Sequence, residues 1–362
     1  MSGHHADEQV RVPIRESSQV ADVRRKVTAL AARAGFDETY AGTCAIIASE
    51  MGTNLIKHAK EGEIILRSLS HGALRGIEIL SIDRGPGMAN VGRALQDGHS
   101  TAGSSGTGLG AIGRMATEFD VHSLPGRGTA AVARIWNRAA PGLAKASRPL
   151  TGVICLPKPG ESVSGDAWLF DSSGRRTLCA VVDGLGHGPL AAQAAALAID
   201  SLREHADSQL AEQIELAHAA LRPTRGAALG VAEILHDRNQ VNFVGIGNIM
   251  AAVLQDSKAR NMVSQNGTLG HQLRRVTEFQ YPWSQSAMLV MCSDGINTHW
   301  DAYSYPGLMS RDPSLIAATL YRDFARGRDD STVIVLKMPD GRTSSIAGSQ
   351  RLNERQHGAN DP

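Results

Sequence analysis

The chain has 362 residues, 20% charged and 42% hydrophobic, with a formal net charge of +1 and a pI near 7.8. That length predicts about two domains. A near-balanced charge, with basic residues dispersed apart from short clusters such as Arg24-Arg25-Lys26, gives no electrostatic case for nucleic acid. The polar start, Met1 to Val10, has no apolar leader core, and no later stretch reaches a membrane-spanning length, so a cytoplasmic protein is expected. Cys44, Cys155, Cys179 and Cys292 sit in apolar surroundings without C-x-x-C spacing, which predicts buried small hydrophobes and neither disulfides nor zinc. Glycine is abundant and clusters between apolar runs, a pattern of loops shaped for ligands.

In chain order, Ser17 to Ala32 predicts an amphipathic helix with Val20, Val23, Val27 and Leu30 on one stripe. A second helix, about Asp37 to Lys60, turns Cys44, Ile47, Met51 and Leu55 inward, and on it Glu50 and Asn54 share a face one turn apart. A carboxylate and an amide so placed can orient a water and hold a cation, although a solvated polar face has the same spacing. Strand-like runs Glu63 to Ser70 and Ala73 to Ile82 meet in a hairpin at His71-Gly72, and the second ends in Asp83-Arg84-Gly85-Pro86-Gly87. The glycine cluster from Gly103 to Gly110 opens a helix reaching about Thr117, whose N-terminal amides favour phosphate. Phe119 to Ser123 and Thr129 to Trp136 read as strands around Pro125-Gly126-Arg127-Gly128.

The order Glu50-x-x-x-Asn54, Asp83-x-Gly85-x-Gly87, Gly106-x-Gly108-x-Gly110 and Gly128-Thr129 resembles the GHKL ATP-binding fold of gyrase, Hsp90, histidine kinases and anti-sigma-factor serine kinases, over roughly residues 10 to 138. With its short lid and Asp97-Gly98-His99-Ser100-Thr101, it looks most like the stressosome switch-kinase group, which phosphorylates a serine of a STAS-domain antagonist. The resemblance implies an α/β sandwich in which Asp83 accepts the adenine amino hydrogen, beside Gly85, Gly87 and Thr129. It further implies that Asn54 holds Mg²⁺, that Glu50 positions or deprotonates the attacking hydroxyl, and that Gly106, Gly108 and Gly110 admit the phosphates of ATP.

Between Arg138 and Leu150 the strand periodicity gives way to Pro, Gly and small residues. This predicts domains at 1–138 and 148–338 joined by a linker at 139–147, with a polar, disordered tail at 339–362.

In the second half, the strand Thr151 to Leu156 is followed by a Ser-Gly turn that places Asp166 at the start of a strand. Thr177 to Val182 delivers Asp183-Gly184-Leu185-Gly186-His187-Gly188. Helices are predicted from His187 to Ala206 and Ser208 to Leu221, then strands at 227–235, 240–245 and 249–254. Ala287 to Met291 runs into Ser293-Asp294-Gly295, and after a helical segment near Ser314 to Phe324, Asp329-Asp330-Ser331-Thr332 precedes the strand Val333 to Leu336. Asp166, Asp183, Asp294 and Asp329 with Asp330 thus all lie at strand ends. Converged carboxylates repel unless cations compensate them, and two divalent ions about 3.5 to 4 Å apart do so while activating water. Unrelated turn aspartates are the alternative.

The set Gly165-Asp166, Asp183-Gly184, Ser293-Asp294-Gly295 and Asp329-Asp330-x-Thr332 resembles the SpoIIE-like branch of the PPM metal-dependent serine/threonine phosphatases, over about residues 148 to 338. Compactness and Gly267-Thr268-Leu269-Gly270 look most like the stressosome feedback-phosphatase group. The resemblance implies a β-sandwich of two antiparallel sheets flanked by helices. Two Mn²⁺ or Mg²⁺ ions would be held by Asp166, Asp183, the Gly184 carbonyl, Asp294 and Asp329, with Asp166 and Asp183 in the catalytic centre and His187 structural. An α+β protein of two domains is therefore expected, a partner-switching serine kinase fused to a phosphatase acting on phosphoserine or phosphothreonine. Its implied partners are a STAS-domain antagonist or scaffold protein, a sigma factor or a downstream phosphatase, with neither nucleic acid nor membrane. The competing expectation is an ATP-binding anti-sigma module that sequesters its partner without kinase activity, fused to an active phosphatase.

Overall fold

The structure, a computed structural model, describes residues 9–59, 61–95, 108–137, 150–173 and 176–338. The expected linker, the tail, Gly106 and the segment Asp97 to Thr101 lie outside these residues. The first half comprises β1 (Val10–Ile14), α1 (Ser17–Arg33), α2 (Glu38–His58), β2 (Gly62–His71), β3 (Leu74–Asp83), α3 (Val91–Ala94), α4 (Gly108–Met115), β4 (Glu118–Ser123) and β5 (Thr129–Trp136). Its antiparallel sheet has the order β1-β2-β3-β5-β4. Asp37 caps α2 by accepting from the Tyr40 amide at 2.9 Å, which fixes where that helix begins. Helix stripes and strand alternation then do the packing. Val23, Val27, Ile47, Met51 and Leu55 meet Ile64, Leu66, Ile77 and Ile79 on one face of the sheet. Strand β1 was not among the sequence expectations; it is a short edge strand carrying Pro13, where a missing amide hydrogen is tolerated.

The second half comprises β6 (Leu150–Leu156), β7 (Asp166–Ser173), β8 (Arg176–Gly184), α5 (Pro189–Glu204), α6 (Leu210–Ala220), β9 (Ala227–Leu235), β10 (Gln240–Ile246), β11 (Met250–Gln255), β12 (Lys258–Asn261), β13 (Ser264–Gln265), β14 (Phe279–Pro282), β15 (Met288–Cys292), α7 (Pro313–Phe324) and β16 (Ser331–Lys337). Two sheets result, β13-β10-β9-β8-β7 with β14 also on β10, and β12-β11-β15-β16-β6. Pairing is antiparallel except where β13 joins β10 in parallel over two residues, a small departure from the expected wholly antiparallel sandwich. Phe170, Val181 and Phe243 interleave with Val253, Leu289, Met291 and Ile334 between the sheets. Helices α5 and α6 cover the outer face of the first sheet, the small Ala195 and Ala198 of α5 permitting close approach to Ala180 and Val182.

The outer face of the other sheet is covered by α7, and α7 is covered in turn by the sheet of the first half. Leu315, Ile316, Ala318 and Leu320 lie in one core with Ile65, Leu80, Ile82 and Val132 on one side and Ile154, Val290, Val333 and Val335 on the other. Every residue from Pro313 to Arg322 is buried, as befits a helix enclosed on all faces. Among the described residues no helix is long and apolar enough to cross a membrane.

Candidate functional site

Two groups of strand ends gather polar residues, one in each half. In the first, β3 delivers Asp83, whose Oδ1 accepts from the amides of Gly85 at 2.7 Å and Thr129 at 3.3 Å. Burial pushes its carboxyl above the ordinary aspartate range, while those two amides, Arg322 and His58 pull it back. Glycine is required by both backbone conformation and space at Gly87 and Gly128 in this box. Gly87 and Gly128 have φ of +67° and +77°, and a Cβ would run into the Leu124 carbonyl at Gly87 and the Asp83 carbonyl at Gly128.

On α2, half-buried Glu50 and Asn54 share a face one turn apart. The first residue of α4, Gly108, comes so near Asn54 that a Cβ there would sit 3.4 Å from both its Oδ1 and Nδ2. Gly110 is the third residue of the same helix, whose first-turn amides have no acceptor within the helix and whose start lies beside Asn54. The structure thus joins Asp83, Gly85 and Thr129 by hydrogen bonds and brings Gly108 against Asn54. The acceptor on one side and the helix start on the other fit a nucleotide with its metal.

In the second half, the register of β7 and β8 sets Asp166 directly opposite Asp183. Asp166 Oδ2 accepts from Ser293 Oγ at 2.6 Å, and Ser293 Oγ accepts from the Thr332 amide at 3.0 Å. Asp294 Oδ2 accepts from Asn248 Nδ2 at 2.7 Å. Asp330, 3% exposed, accepts from the amides of Lys158 at 2.8 Å and Gly165 at 2.9 Å, which ties the loop before Asp166 to the start of β16. Sequence reasoning gave Asp330 no separate role; the doubled acid of Asp329-Asp330 was its signal, since one carboxyl can fix the loop while its neighbour faces a ligand. The adjoining turns pass very close to one another. A Cβ on Gly184 would overlap the Ala191 carbonyl, and one on Gly295 the Asp330 carbonyl. His187 Nδ1 and Glu161 Oε1 are paired at 2.7 Å on the exposed rim.

The carboxylates of this second group repel one another. Burial raises the carboxyls of Asp166 and Asp183, and for Asp183 the charges of Asp166, Asp294, Asp329 and Asp330 raise it further. Asp294 is raised by burial and then by Asp329. Among the described residues no three His, Cys, Asp or Glu side chains already close into a metal cage. The mutually elevated carboxyls nevertheless form an all-oxygen, negatively charged donor set, the chemistry that suits Mg²⁺ or Mn²⁺. The cysteines are free; Cys44, Cys179 and Cys292 are buried and Cys155 half-buried, and burial pushes the Cys44 and Cys179 thiols up to about 12.

Comparison with known proteins matches residues 14–135 to the histidine kinase-like ATPase domain and residues 173–339 to the stage II sporulation protein E (SpoIIE) family. The first half is similar to the serine/threonine-protein kinase RsbT of Bacillus subtilis (strain 168), 33% identical over 90 residues that span 25% of this chain and 68% of that protein. The second is similar to the phosphoserine phosphatase RsbX of the same organism, 25% identical over 148 residues, 41% of this chain and 74% of that protein. A solved chain described as "The bacterial stressosome: a modular system that has been adapted to control secondary messenger signaling" is 25% identical with a TM-score of 0.50, covering 52% of this chain and 100% of its own. The chain therefore belongs to the histidine kinase-like ATPase family, in the group that includes RsbT, and carries that domain fused to a SpoIIE-type phosphatase domain similar to RsbX.

Proposed function

We propose that the chain is a bifunctional partner-switching regulator: an ATP-dependent serine kinase module at 1–138, a linker at 139–147, and a metal-dependent phosphoserine/phosphothreonine phosphatase at 148–338. The observation that carries the phosphatase reading is the placement of Asp166 opposite Asp183, with Asp294, Asp329 and Asp330 close enough to raise the Asp183 carboxyl. Asp166, Asp183, the Gly184 carbonyl, Asp294 and Asp329 would hold two Mn²⁺ or Mg²⁺ ions. Bound there, the cations supply charge neutralisation and an activated water. The protein's own part is orientation. Ser293 fixes one oxygen of Asp166, Asn248 fixes one of Asp294, and Asp330 holds the loop that precedes Asp166.

In the first half Asp83 would accept the adenine amino hydrogen, with one oxygen already fixed by Gly85 and Thr129. Asn54 would hold Mg²⁺, Glu50 would take the proton of the attacking serine, and Gly85, Gly87, Gly106, Gly108 and Gly110 would leave room for the nucleotide. Similarity to RsbT and RsbX supports substrates among STAS-domain antagonist or scaffold proteins, with a sigma factor or downstream phosphatase in the same cytoplasmic cascade.

Two assays separate the activities. Mn²⁺-dependent hydrolysis of a generic aryl phosphate is expected from the intact chain and lost in Asp183→Asn; retained hydrolysis in that variant removes the assigned metal centre. Transfer of phosphate from ATP to a STAS-domain partner is expected and lost in Glu50→Gln. Transfer that persists unchanged in Asp83→Asn removes the kinase claim.

A further inference from the structure

The nucleotide-binding box of the first half is completed by a residue of the second. Arg322, near the C-terminal end of α7, is buried and donates from Nη1 to the backbone carbonyl of Asp83 at 3.2 Å. Its Nε and Nη2 are engaged by Asp323 at 2.8 and 2.7 Å, so the guanidinium plane is fixed. Asp323 in turn accepts from the Tyr305 hydroxyl at 2.8 Å, and the Tyr305 ring lies 5.1 Å beneath the Arg127 guanidinium. Arg127 belongs to the turn between β4 and β5, where the neighbouring Gly126 amide donates to the Pro86 carbonyl at 2.7 Å. Arg84, next to Asp83, closes the circuit by donating to the Arg322 carbonyl. Both loops of the adenine-facing box, residues 83–87 and 125–129, are thus braced from the phosphatase side.

We infer that Arg322 is a positioning residue for nucleotide recognition, holding the end of β3 so that the Asp83 carboxylate meets the adenine amino group. This rests on the assignment of Asp83 as the adenine acceptor. The Asp83 carbonyl is packed beside Gly128, where a Cβ would overlap it, and is held from the other half by the Arg322 guanidinium. Its side-chain Oδ1 is spent on two amides, leaving Oδ2 as the oxygen available to a base. The positive charge of Arg322 also favours the ionised form of Asp83. The brace acts on the base and not on the triphosphate, because Asn54 and the start of α4 have no part in it.

The test uses the full-length protein with Mg²⁺ and compares binding of ATP with binding of ITP, which carries a carbonyl in place of the adenine amino group. Wild type should prefer ATP by about tenfold or more, the worth of a hydrogen bond to a charged acceptor. Arg322→Met should pull that ratio at least about threefold toward one while leaving ITP affinity within about twofold. Arg322→Lys, which keeps charge and stem, should restore part of the ratio and carries the test if the methionine variant fails to fold. Asp120→Asn serves as control. It loosens the same interface at its other end, where Asp120 accepts from Arg311 Nη1 at 3.2 Å and the Asp312 amide at 2.8 Å, and should leave the ratio unchanged. An unchanged ratio in both Arg322 variants, a parallel loss of ATP and ITP, or an equal fall in Asp120→Asn overturns the inference. A wild type that binds neither nucleotide, or does not discriminate, instead overturns the adenine-acceptor assignment beneath it.

Discussion

Replacing Arg134 by methionine removes the guanidinium that ties the first half to the N-terminal end of α7. Arg134 donates to Glu78 Oε2 at 2.7 Å and Glu118 Oε2 at 3.0 Å on its own sheet, and to Asp312 at 2.6 and 2.7 Å and Ser314 Oγ at 2.9 Å across the interface. Burial disfavours its charge, but Asp312 and Glu78 outweigh that and hold it firmly protonated. Side chains of Arg134 and Glu78 are 9% and 3% exposed, so the value of about 0.2 to 1 kcal/mol for surface pairs does not apply. Taking one partner from a buried pair strands the others, at about 3 to 5 kcal/mol. Urea unfolding followed by tryptophan fluorescence measures this, because Trp136 is hydrogen-bonded to Glu118 beside the network. Asp312→Asn should be destabilising too, and the double variant should cost less than the two singles together by about 1 to 3 kcal/mol. Asp22→Asn, which removes a surface pair with Lys26 at 2.8 Å, should cost no more than about 0.5 kcal/mol. A loss below about 1 kcal/mol in Arg134→Met, or strict additivity with Asp312→Asn, would refute the claim that this network holds the halves together.

Gly184→Ala should destabilise the protein by about 1 to 3 kcal/mol, because its methyl overlaps the Ala191 carbonyl; thermal unfolding reads the loss, and an unchanged midpoint would deny the close packing of this turn. Asp83→Asn should weaken ATP binding by about tenfold or more in calorimetric titration. The pH dependence of the metal-free protein follows from the raised pKa values of Asp166 and Asp183. The folded state then binds more protons than the unfolded state above the ordinary value of 3.8, so these groups remove stability as pH rises from there toward neutrality. Mn²⁺ should accordingly raise the unfolding temperature more at pH 8 than at pH 5, and an equal rise at both would contradict the charge excess. Asp312 acts with the opposite sign. Its carboxyl is held below 3.8 by Arg134 against the effect of burial, so its contribution is present above that value and lost as pH falls through the lower folded pKa. Acid titration of Asp312→Asn should therefore show a shallower loss of stability below pH 4 than wild type.

The strand-end acids of both groups are legible in the sequence because each stands where an apolar run starts or stops. Asp83, Asp183 and Asp294 end or follow strands of residues that cannot face water, and the glycines after them announce turns with no space for a side chain. What could not be read is pairing. That Asp166 lies opposite Asp183 follows from a cross-strand register with no local marker, and the hold of Asp330 on the Gly165 amide joins positions 165 residues apart. Strand β1 was hidden for a different reason. Five residues containing a proline carry too little alternation to identify an edge strand, whose partner supplies the missing definition.

The relation between the halves was the deepest omission, although α7 did carry a signal. From Pro313 to Tyr321 the helix has no charged residue, so it offers no face to water and must be enclosed on all sides. A helix lying on a single sheet would need a polar stripe. Its absence requires a second apolar surface, and the unabsorbed one is the face of the first sheet bearing Ile65, Leu80, Ile82 and Val132. The charged residues at the two ends of α7 then become intelligible as interface groups. Asp312 caps the helix and takes Arg134, while Arg322 reaches Asp83. Beyond its last turn the chain runs from Ala325, bridged to Ile296, into Asp329 and Asp330. One element is thereby built against the end of β3 at Asp83 and leads directly to Asp329 and Asp330, so the two halves share a packed core and are not independent units on a tether.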